Sequence, residues 1–100
     1  MRPSERLETH RIEVKRILQK YPMISNVRIF GSVARNEDKE DSDLDLYVDA
    51  APDTTLFHIG GLREELADLL GIPVDIVTSG TNLYRVIKTN IERDMRALFS

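Results

Sequence analysis

The sequence predicts an α/β fold of the α+β kind, in which helices cover a small mixed sheet of three strands in the order α-β-α-β-α-β-α. Three observations carry this expectation. Apolar residues recur at helical spacing at the start, middle and end of the chain. Three short runs between them alternate apolar and polar residues, as half-buried strands do. Breakers at Pro22, Gly31, Pro52 and Gly71 separate these segments.

Composition sets the outer limits. One hundred residues predict one domain, residues 1–100, with a single small core. The apolar share of 41% and charged share of 31% belong to a globular chain rather than a disordered one. There is no apolar run of about 18 residues, which argues against a membrane span. The charged start, MRPSERLETHRIEVK, lacks the apolar centre of a signal peptide. Cysteine is absent, which excludes disulfides and thiolate metal sites and predicts a cytoplasmic protein. The net charge of −3, with dispersed Lys and Arg, argues against nucleic acid as a direct partner.

The elements follow in order. Pro3-Ser4 starts a helix in which Leu7, Val14, Ile17, Leu18 and Tyr21 share one stripe, and Pro22 stops it. Ile24 to Phe30 reads as the first strand, ending at Gly31. Ser32 to Asn36 has room for one helical turn. Glu37 to Asp41, five charges in succession, predicts a solvated loop. Leu44, Leu46 and Val48 alternate with Asp43, Asp45 and Tyr47 in a second strand. Leu56, Ile59, Leu62, Leu66, Leu69 and Leu70 fit a helix, weakened by Gly60-Gly61 and closed by Gly71. Pro73 to Thr78 is a third strand. Thr81 or Asn82 caps a last helix with Leu83, Val86, Ile87, Ile91, Met95 and Leu98 inward.

Chemistry concentrates between Ile29 and Asp49. Two residues apart on a strand, Asp43 and Asp45 face the same way, about 7 Å apart. Like charges held together become favourable when a cation lies between them, and oxygen-only ligation suits Mg²⁺ with substrate phosphates. Asp75 sits in the third strand and joins the same face if strands two and three are neighbours. Three such carboxylates match the needs of a two-metal site. Gly31-Ser32 offers close backbone approach and an anion cradle, and Arg35 projects from the same segment. Arg35 has two readings at this point, contact with a phosphate or pairing with Glu37 or Asp38. Isolated, a Gly-Ser turn is usually only a turn, and an Asp on a strand is usually only half-exposed. The combination is what is specific.

Gly31, Ser32, Ala34, Arg35, Ser42, Asp43, Asp45, Leu46 and Asp75 together resemble the motif of the DNA polymerase β-like nucleotidyltransferase superfamily, and within it the minimal nucleotidyltransferases. Asn36 departs from the family's Gly, but Asn tolerates positive φ next best, so the turn is expected to survive. The resemblance implies a polymerase-β-like fold, catalytic and Mg²⁺-binding roles for Asp43, Asp45 and Asp75, and nucleotide contacts from Gly31, Ser32, Arg35 and Ser42. Two Mg²⁺ ions and ATP as substrate follow from it.

The sequence beyond Thr78 is too short for a further substrate domain. Members of this size resemble the antitoxin half of HEPN–nucleotidyltransferase pairs. That resemblance implies transfer of AMP from ATP to a tyrosine hydroxyl of a HEPN ribonuclease toxin, with Asp75 assisting the hydroxyl. Two rivals stand beside it: an antitoxin that neutralises its partner by contact, and a small-molecule nucleotidyltransferase completed by a partner subunit. His10 and His58 read as ordinary surface or half-buried histidines, and Tyr47, on the Asp side of its strand, reads as sheet packing rather than as part of the nucleotide site. Arg63-Glu64-Glu65 and Glu92-Arg93-Asp94 read as solvated helix faces.

Overall fold

The computed structural model describes residues 1–78 and 95–98. The elements are α1 (Pro3–Thr9), α2 (Arg11–Gln19), β1 (Ile24–Phe30), α3 (Gly31–Ala34), β2 (Leu44–Ala50), α4 (Leu56–Leu70), β3 (Val74–Thr78) and β4 (Arg96–Ala97). The sheet order is β3-β2-β1-β4. β2 runs parallel to β3, and β1 runs antiparallel to both β2 and β4. Among the described residues no helix is long and apolar enough to cross a membrane.

Alternation along β2 decides the layering. Leu44, Leu46 and Val48 are fully buried on one face, where they meet Leu62, Leu66 and Leu70 of α4 and Val14 of α2. Asp45, Tyr47 and Asp49 therefore point to the other face. α4 is held at both ends. Thr55 Oγ1 accepts the His58 N–H at 3.3 Å while His58 Nδ1 accepts the Thr55 N–H at 3.0 Å, a reciprocal N-terminal cap. Gly71 closes the other end in the left-handed region, φ 68°. Arg6 of α1 donates to the Leu70 carbonyl there at 2.9 Å.

Several expectations are corrected. The single first helix is two helices, broken at His10 (φ −107°, ψ 24°). The stripe of apolar residues stays in phase through the break, so periodicity does not register it. Among the described residues the sheet has four strands, where three were expected. Arg96-Ala97, expected in a helix, pairs with Arg28-Ile29, and the Leu98 N–H reaches the Val27 carbonyl at 2.9 Å. These bonds satisfy the open edge of β1. The remainder of the expected last helix, residues 81–94, lies outside the described residues. Leu56 stands at the first turn of α4 and is 88% exposed rather than inward. Glu65 is no free surface charge: it accepts the Tyr21 hydroxyl at 2.5 Å and also pairs with Lys20. Lastly, Asp38 is buried inside what reads as a solvated loop.

Candidate active site

β1 delivers the chain to the site and Gly31 turns it. At Gly31 φ is +74°, a region that costs any residue with a Cβ about 1–2 kcal/mol. A Cβ there would also lie 2.5 Å from Asp45 Oδ2. Backbone and carboxylate are thus packed against each other, and only glycine leaves room. The short α3 follows, with Ser32 half-buried in it and Arg35 at its end.

The sheet register brings the carboxylates together. Asp45 is the direct partner of Phe30 on one side and of Asp75 on the other. Paired residues on adjacent strands share a face and lie about 5 Å apart. Asp43 stands just before β2, two residues from Asp45 and exposed, as is Asp75. The electrostatics agree with the placement. Burial, then Asp75, then Asp43 raise the Asp45 pKa from 3.8 to about 6, with Arg35 pulling weakly the other way. Asp45 is therefore a half-buried carboxylate crowded by two like charges.

The other expected site residues are placed as follows. Arg35 Nε pairs with Glu37 Oε2 at 3.2 Å, the bracing arrangement. Ser42 turns its hydroxyl into the loop, where Oγ accepts the Lys39 N–H at 2.8 Å. Asn36 adopts φ +59°, the turn conformation expected of a residue standing where glycine is usual. Tyr47 lies buried under the Arg28 guanidinium, 4.5 Å from ring centroid to Cζ, and Arg28 pairs with Asp49 at 2.6 Å.

Among the described residues no group of three or more His, Cys, Asp or Glu side chains is placed to hold a metal ion by itself. The donor set still fits Mg²⁺, because that ion takes one or two carboxylates and completes its shell with phosphate and water oxygens. All three acidic side chains offer hard oxygen donors, and the crowding at Asp45 is what a cation relieves.

A carboxylate pair across parallel strands, a third Asp before the second strand, and a glycine turn pressed against Asp45 thus lie together at one end of the sheet. Residues 13–100 match the family described as Polymerase beta, Nucleotidyltransferase, and the chain belongs to that family. A protein of Methanocaldococcus jannaschii named "Putative protein adenylyltransferase" is 38% identical over 81 residues, 81% of this chain and 83% of the relative. A solved "putative minimal nucleotidyltransferase" superposes with a TM-score of 0.74 at 38% identity, covering 90% of this chain and 93% of that one. A Shewanella oneidensis structure, a tri-AMPylated HEPN toxin in complex with an MNT antitoxin, shares the fold. Its TM-score is 0.67 at 20% identity, covering 92% of this chain and 71% of that one.

Proposed function

We propose that this chain is an Mg²⁺-dependent protein adenylyltransferase that moves AMP from ATP onto a tyrosine hydroxyl of a HEPN ribonuclease toxin and so neutralises it. The observation that carries the chemistry is the Asp45–Asp75 pairing across β2 and β3, with Asp43 beside it and Gly31 against it. The Methanocaldococcus jannaschii relative supports an adenylyl group and a protein acceptor. The HEPN toxin complex that shares the fold supports the class of partner.

In the proposed reaction the acceptor oxygen attacks the α-phosphorus of ATP and forms the new P–O bond. The bond to the bridging oxygen of the β-phosphate breaks, and pyrophosphate leaves with that electron pair. Asp75, exposed at the start of β3, takes the hydroxyl proton. Asp43, Asp45 and Asp75 would hold Mg²⁺, which when bound neutralises triphosphate charge and lowers the barrier to nucleophilic attack. Gly31 lets the phosphates approach the backbone, and the Ser32 hydroxyl is available to them. Arg35 holds the loop through Glu37 and adds positive charge near Asp45.

The test uses ATP labelled on its α-phosphate, Mg²⁺ and a HEPN-domain protein as acceptor. Label is expected on the HEPN protein, and Asp43→Ala or Asp45→Ala abolishes it. Neutralisation of the partner by Asp43→Ala, with no label transferred, would replace catalysis with neutralisation by contact.

A further inference from the structure

We infer that Asp38 is a positioning residue for the nucleotide site: by capping α1 it fixes the middle of the loop that joins the Gly31-Ser32 turn to Asp43 and Asp45. What that loop presents rests on the function proposed above; the clamp itself does not.

The loop from Arg35 to Asp43 is tied down near each end. On the α3 side the Glu37 N–H reaches the Ser32 carbonyl at 2.8 Å, and the Asn36 N–H reaches the Val33 carbonyl at 3.1 Å. On the β2 side Lys39 and Ser42 bond each other twice, backbone to side chain at 2.8 Å and backbone to backbone at 3.0 Å. Asp38 stands between these ties. Its Oδ2 accepts the Ser4 N–H at 2.9 Å, across 34 residues of sequence, and the residue is 3% exposed.

The helix needs this carboxylate. Pro3 opens α1 and has no N–H, Glu5 accepts the Arg2 N–H at 2.9 Å, and the Ser4 N–H is left to Asp38. Arg2, at the N-cap position, has no side-chain oxygen with which to do the work. A carboxylate at a helix start is favoured by the unpaired N–H groups there. Burial works to raise the Asp38 pKa, yet Ser4 and Asp38's own backbone, with help from Arg2, hold it below the ordinary value. The group is thus an anion in the fold, bound at one end of a strut. α1 is fixed at its far side too, through Arg6 and the Leu70 carbonyl of α4. The family match begins at residue 13, so the strut precedes the matched region while the loop lies inside it.

The experiment compares the full chain with Asp38→Ala and Asp38→Asn. Amide exchange is followed at Glu37, Lys39 and Ser42, with Leu46 and Val48 of β2 as internal references. Affinity for Mg²⁺ with a non-hydrolysable ATP analogue is measured in parallel. Asp38→Ala is expected to speed loop exchange about tenfold, leave the β2 amides alone, and weaken the analogue about fivefold, at the low end of couplings between distinct sites. Asp38→Asn keeps an acceptor oxygen and falls between, which decides the matter if the alanine variant does not fold. Unchanged loop exchange, loop and β2 exchange rising together, or a looser loop with undiminished affinity would each overturn the inference. A wild-type chain that binds no analogue would refute the proposed function instead, with the exchange comparison still deciding the clamp.

Discussion

Gly31 and Asn36 occupy the same left-handed backbone region for different reasons. Gly31 is held there by contact, because the Asp45 carboxylate fills the space of a side chain. Asn36 only closes a turn, at φ +59°. Asn36→Gly is therefore expected to leave nucleotide transfer within about twofold and to shift stability by less than about 1 kcal/mol. Gly31→Ala is expected to abolish transfer. Steady-state rates for the two variants check the contrast, and a large rate loss in Asn36→Gly would mean that residue 36 serves the site directly. Asp45 predicts a pH dependence. Folded, it titrates at about 6; unfolded, at its ordinary 3.8. Between these values the folded state holds the extra proton, so this group's contribution to stability falls as pH rises through the window. Asp45→Asn removes the penalty. Without divalent ions, its unfolding free energy should gain on the wild type between about pH 4.5 and pH 7.5, by about 1 kcal/mol once solvent screening of a half-buried group is allowed for. A constant difference across that range would contradict the raised Asp45 pKa that burial, then Asp75 and Asp43, produce.

At the scale of elements, α4 carries two adjacent glycines that the same substitution separates. Nothing lies within 4 Å of a Cβ built at Gly60, whereas at Gly61 it would come 2.9 Å from the Tyr21 hydroxyl. Gly60→Ala should stabilise the protein by roughly 0.5–1 kcal/mol, the helix-interior difference between the two residues. Gly61→Ala should gain less or lose, since it pushes on the hydroxyl that donates to Glu65. Thermal unfolding of both variants checks the pair, and equal gains would show that Tyr21 yields at no cost. The sequence made α4 and β2 legible because each has a clean period and a breaker at its end; β1 was legible from its β-branched run and Gly31, although its register with β2 shifts between Ser25 and Arg28. The break at His10 was hidden by apolar residues that stay in phase across it. β4 was hidden because two residues contain no period, and its evidence is the free edge of a strand some 70 residues earlier.

For the molecule as a whole, the carboxylates of the candidate site were readable because they are written into strand alternation. Asp45 and Asp75 needed only the parallel pairing of β2 with β3 to meet. Asp38 was not readable: a buried anion among five charged residues has the spelling of a solvated loop, and its partner is the backbone of a distant helix. The route from Gly31 to Asp45 is thus supported from outside by α1, through the Ser4 N–H and Asp38. The most direct test of the central claim is the mass of the HEPN partner after incubation with this chain, ATP and Mg²⁺. The expected result is one or more AMP additions on tyrosine, lost with Asp43→Ala or Asp45→Ala. A partner neutralised at unchanged mass would contradict it.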